Sequence, residues 1–157
     1  MSDSPYAPPT APLRDPPSAP LSWWVAWISA SAATGTNYLV GYLASPFLQH
    51  LYSPGVSTDT ALYQTMFSSV GVNVLVLLIA AGSYFLGGYL AASLALARPV
   101  VHALLAGAIC IVIGAVGYLG VFSSPLLLWA QVIGFLLTIP CVLAGAAWYS
   151  RSRGQEV

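Results

Sequence analysis

Two histidines, two cysteines and three side-chain amides set within apolar sequence are the residues whose types could make a chemical site in this chain. Histidine supplies a general base or a metal ligand near neutral pH, and a thiolate supplies a nucleophile or a soft ligand. Their spacing works against both uses. His50 and His102 fall at opposite ends of the apolar stretches, about 30 Å apart across a bilayer, so no single haem or metal takes both. His102 follows Arg98-Pro99 and is placed to cap or hydrogen-bond at the interface. Cys110 and Cys141 come at similar depth on neighbouring helices, within possible contact. Without a C-x-x-C spacing or an adjacent histidine they make a poor metal site, and each reads as a small apolar residue. No catalytic residue, metal or cofactor is assigned.

The amides Asn37, Asn73 and Gln131 are more informative. Counting 1.5 Å per helical residue from the expected helix ends puts all three roughly 8 to 12 Å below one membrane surface. That common level predicts an Asn37–Asn73 hydrogen bond across the first two helices, with Gln131 near or completing the group. Such a cluster serves either as a polar site for a small solute or ion, or as interhelical glue worth around 1 kcal/mol per residue. Glue is the expectation. A charged side chain at mid-bilayer costs about 2.5 to 3.5 kcal/mol and is retained for proton relays, ion paths or voltage sensing. No Asp, Glu, Lys or Arg falls inside the apolar stretches. Ion-coupled transport and intramembrane hydrolysis therefore lack their usual groups, and the chain is expected not to be an enzyme.

Composition supplies the elements that hold these residues. The 157 residues are 58% hydrophobic and 5% charged, with a mean hydropathy of +0.81. Soluble domains carry about a quarter charged residues, so the solvent around most of this chain must be lipid. Zero net charge and the lack of any lysine exclude nucleic acid, which needs clustered cations.

Residues 1–21 hold seven of the twelve prolines and read as a disordered cytoplasmic tail, whose Pro-x-x-Pro spacings could dock a partner that reads polyproline II. Residues 22–150 form the expected transmembrane domain, with helices at about 23–44, 65–95, 99–122 and 126–149, and 151–157 a short cytoplasmic tail. The second stretch, about 45 Å long, should tilt or project from the bilayer. Ala30-Ser31-Ala32 resembles a signal-peptide cleavage site, but the apolar pattern resumes after it, which argues for a retained helix. Unbroken apolar runs exclude a β-barrel, whose strands alternate.

Arg14, Arg98, Arg151 and Arg153 are the only cations, and an even number of crossings puts all four on one side. The positive-inside rule then places both termini in the cytoplasm. Trp23, Trp24, Trp27, Trp148 and Tyr149 mark the inner interface, and Tyr63, Tyr118, Phe122 and Trp129 the outer one.

Helices in lipid associate where small residues let backbones approach. The first helix carries Ala26, Ala30, Ala33, Asn37, Val40 and Ala44 on one face, and the second Asn73, Leu77, Ala80, Tyr84, Gly87 and Ala91. The third offers Gly107, Cys110, Gly114 and Gly117, and the fourth Gln131, Gly134, Thr138, Cys141 and Gly145. Pro140 frees the carbonyl of Leu136, which Thr138 is placed to satisfy. The expected fold is an all-α, four-helix transmembrane bundle, close-packed, with both termini cytoplasmic.

Leu86–Gly107, LGGYLAASLALARPVVHALLAG, resembles a pattern in small bacterial inner-membrane proteins of uncharacterised function with four predicted transmembrane helices. They share a Gly-Gly helix end, an arginine-containing turn and a Pro-x-x-His-Ala-Leu helix start, though their turn carries more arginine than the single Arg98 here. The resemblance implies a multi-pass inner-membrane protein with both ends inside. The functional expectation is a non-catalytic accessory, assembly or scaffold component, partnered by the lipid bilayer and by a larger membrane complex or its own copies. The alternative is a small-solute channel or carrier using the outer-leaflet amides.

Overall fold

The computed structural model describes residues 21–52, 67–95, 98–116 and 126–154. Among these the chain is all-helical: α1 (Trp23–Tyr52), α2 (Val70–Leu94), α3 (Pro99–Val116) and α4 (Leu128–Gly154). The proline-rich tail with Arg14, the Asp59 loop, Gly117, the aromatics Tyr63, Tyr118 and Phe122, and the break at Ser123-Ser124-Pro125 lie outside the described residues.

Three helices, α2, α3 and α4, are long and apolar enough to cross a membrane, which agrees with the composition in making this a membrane protein. The first helix departs from expectation. It has the length, but Ser29, Ser31, Thr34, Thr36 and Asn37 dilute its middle and leave it outside that set.

The helix ends also differ from the sequence reading, for local reasons. α1 does not stop near Ala44 but runs through Pro46 to Tyr52. Proline at 46 leaves the carbonyl of Tyr42 without its usual donor. The Ser45 hydroxyl donates to that carbonyl at 2.9 Å, so the helix continues. α2 is 25 residues, about 37 Å, rather than the overlong span expected. α4 continues to Gly154, so Arg151 and Arg153 sit in its last turn, where cations complement the helix dipole.

The four helices form a rhombic bundle. α2 and α3 touch each other and both remaining helices, while α1 and α4 stand at opposite corners without contact among the described residues. Sequence neighbours run antiparallel. Consequently α1 and α3 are parallel, as Ser22 meets His102 and Ala30 meets Cys110, and so are α2 and α4, as Asn73 meets Leu127 and Gly88 meets Val142. One end of the bundle, here the entry end, holds the starts of α1 and α3 with the ends of α2 and α4. The far end holds the reverse.

Small residues set the spacing. The larger core cluster, toward the entry end, is built from Ala30, Ala33, Ala91, Ala92, Ala103, Ala106, Cys110, Val142 and Ala146. A smaller one at the far end pairs Leu48 with Val72. Backbones approach so closely along α2 and α4 that a Cβ at Gly88 would strike the Val142 carbonyl, and one at Gly145 the Phe85 carbonyl. Short side chains give each helix pair its attraction through dispersion and carbonyl contacts, the main sources available in lipid.

Candidate functional site

The far end is organised by Asn73, wholly buried on the first turn of α2. Its Nδ2 donates to the carbonyls of Phe67 at 2.7 Å and Ser69 at 2.8 Å, closing the start of its own helix. Its Oδ1 accepts the Leu127 N–H at 3.0 Å, at the start of α4. Leu127 in turn begins α4 by accepting the N–H groups of Ala130 and Gln131 through its carbonyl. One carboxamide therefore joins the starts of two parallel helices. Gln131 works beside it, donating to the Leu126 carbonyl at 2.7 Å.

Asn37 takes no part in this junction. The antiparallel register sets Leu48 against Val72, and Ser29 and Ala33 against Gly87. Asn37 is thereby level with about Ser83, roughly ten residues or 15 Å from Asn73. The expected Asn37–Asn73 bond is absent because α1 continues past Ala44, which makes Asn37 a mid-helix residue, half-buried and outside the Asn73 network. Both Asn73 donors are already used by α2.

Near mid-height a second polar group forms from residues that the spacing had placed on separate packing faces, Tyr84, Cys110, Thr138 and Cys141. Tyr84 of α2 faces Thr138 and Cys141 of α4, Cys110 of α3 and Tyr38 of α1. Thr34 adjoins Cys110, whose thiol also lies 3.9 Å from the Ala30 carbonyl. Both cysteines are free thiols. Thr138 does not serve the carbonyl freed by Pro140; its hydroxyl donates to Gly134 at 3.0 Å, as Ser83 does to Ile79 at 2.9 Å. These are the back-bonds by which short hydroxyls are satisfied inside helices. Ser29 is a buried hydroxyl with no hydrogen-bond partner among the described residues. The signal for this group was its spacing from four different helices, which only a register reveals.

At the entry end, Tyr89 and Tyr149 meet edge to face with centroids 5.4 Å apart and planes at 89°. The Arg153 guanidinium lies 5.4 Å from the Tyr149 ring centre, a cation–π contact worth about 0.5–1 kcal/mol at an exposed site. Arg98 and Arg151 are exposed at the same end. His102 is buried here, hydrogen-bonded through both ring nitrogens to backbone groups. His50 stands exposed on the last turn of α1, at the other end of the bundle.

The glycines expected to pack do so unequally. A Cβ at Gly145 meets backbone, one at Gly87 meets the Ala33 side chain at 2.7 Å, and those at Gly107 and Gly114 meet side chains alone, closest the ends of Ile139 and Phe135. Gly134 has room, with Leu77 at 3.6 Å. Val40, placed in the seam by its spacing, faces outward at 38% exposure. Among the described residues no His, Cys, Asp or Glu group is disposed to hold a metal. Compared with known proteins, the chain matches no protein-family model, no curated protein and no solved structure.

Proposed function

We propose that this chain is a non-catalytic component of a bacterial inner membrane, an accessory, assembly or scaffold subunit. It crosses the bilayer four times, with both ends in the cytoplasm and the arginines at the inner face. α1 completes the count because its 30 residues, about 45 Å, run alongside α2 and exceed the depth of the hydrocarbon.

The observation that carries the reading is where the interior polar groups are spent. Asn73, Gln131, His102, Thr138 and Ser83 all bond to the protein's own backbone. A solute site needs convergent polar groups aimed at a shared volume. Here the same residue types close helix starts and back-bond within turns, so their chemistry supports holding helices together. The carrier reading required Asn37, Asn73 and Gln131 at one level, and Asn37 stands apart from the other two.

Purification of the full chain in mild detergent tests the proposal. A subunit brings a larger membrane complex with it. Solitary protein that speeds glycerol or urea entry into reconstituted vesicles, followed by light scattering, would overturn it in favour of the carrier.

A further inference from the structure

His102 is 3% exposed although it occupies the first turn of α3, at the entry end of the bundle. Its Nε2 lies 3.1 Å from the backbone N–H of Ser22, and its Nδ1 lies 3.1 Å from the carbonyl of Arg98. A backbone N–H only donates, so Nε2 must be bare; a carbonyl only accepts, so Nδ1 must carry the proton. One form of the ring satisfies both contacts, the neutral Nδ1–H tautomer. Imidazolium cannot, because its second proton would point at the Ser22 N–H.

The two partners sit at helix starts. Ser22 precedes α1 and begins it by accepting the Val25 N–H at 3.1 Å. Arg98 precedes α3 in a left-handed conformation, φ 54°, and its carbonyl also accepts the N–H groups of Val101 and His102. A non-glycine residue seldom holds that backbone geometry. The imidazole thus ties the beginning of α1 to the beginning of α3, two parallel helices that also meet at Ala30 and Cys110, about two turns further in, with Val25 and Ala26 buried between.

We propose that His102 is a proton-operated latch. Neutral, it holds the first turns of α1 against α3; protonated, it releases Ser22 and frees that end of α1. The titratable groups at this end of the bundle are, among the described residues, Tyr89 of α2, Arg98 of the imidazole's own turn, and Tyr149, Arg151 and Arg153 of α4; the first turns of α1 contribute none. No carboxylate stands among the described residues to compensate an imidazolium. The closed latch binds no proton at Nε2 and the open one does. The latch is therefore closed while the ring is neutral and opens when it takes up a proton, so lower pH favours the open form. This adds a regulated end to the molecule whatever the bundle associates with.

The test uses the full chain in lipid nanodiscs with ring-¹⁵N histidine, His50 being identified by H50Q. At about pH 8 the His102 nitrogens should show the Nδ1–H tautomer rather than the Nε2–H form that free histidine prefers. On acidification to about pH 5, amide protection from Ser22 to Trp27, corrected for the intrinsic pH dependence of exchange, should fall roughly tenfold or more. Protection near Gly88 and Gly145 should hold. S22P removes the donor and leaves the imidazole, so it should give the low protection at both pH values. H102Q keeps an acceptor that does not titrate, and should give the high protection at both. If either variant fails to fold, the unmodified chain still decides: an Nε2–H tautomer at the higher pH, or protection of the α1 start that ignores pH, overturns the latch.

Discussion

Asn73 and Asn37 are the same residue type and differ in what the fold asks of them. Asn73 is wholly buried with three hydrogen bonds to backbone, and its removal strands the Leu127 N–H at the start of α4. Leaving a buried donor unmatched costs about 1–3 kcal/mol. Asn73→Leu should therefore lower stability by about that amount, read by thermal unfolding in detergent, and raise amide exchange across the first turn of α4. Asn37 is half-buried and apart from that network, so Asn37→Leu should change stability by less than about 0.5 kcal/mol. Equal losses from the two would refute the division. The presence of polar amides was readable in the sequence; their depth was not, because it depended on one proline. Pro46 looks like a helix end until the Ser45 hydroxyl is seen to occupy the carbonyl it frees.

Glycines divide in the same way at the level of helices. α2 and α4 make the most extensive contact in the bundle, and Gly88 and Gly145 are where their backbones meet. A methyl group at either must push apart two main chains, which have no rotamer with which to yield. Gly35, Gly41 and Gly82 have nothing within 4 Å of the position a Cβ would take. Gly145→Ala and Gly88→Ala should thus disrupt the α2–α4 pair, costing more than about 2 kcal/mol in unfolding measurements. Gly35→Ala and Gly82→Ala should be neutral or stabilising, by up to about 1 kcal/mol, because alanine is the better helix former. Reversal of this order would show that the α2–α4 contact is not the one that holds the bundle. Spacing put Gly87 and Gly145 on packing faces and left Gly35, Gly41 and Gly82 off them, but it could not tell that Gly88 and Gly145 are the ones that meet backbone of the opposite helix most closely.

For the molecule as a whole, antiparallel neighbours bring Arg98, Arg151 and Arg153 to one end, with Trp23, Trp24 and Trp148 exposed beside them. Cations are retained on the cytoplasmic side and indole rings settle at the interface. A reporter fused after Val157 should accordingly be active only in its cytoplasmic form. A periplasmic result would invert the proposed topology. The crossing by α1 is tested separately by a reporter fused ahead of Trp23, which should report the opposite side from one placed in the loop between α1 and α2.

Membrane residence was already decided by the sequence, because burial in lipid is a sum over some twenty residues and survives any detail of packing. Helices follow from the same sum, since a backbone in hydrocarbon must satisfy its own polar groups. Pairing is different. Which asparagine reaches another helix, which glycine touches a backbone and which nitrogen of His102 carries a proton depend on helix ends and on the register between helices. Those are distances of a few ångströms between residues far apart in the chain, and only the folded bundle specifies them.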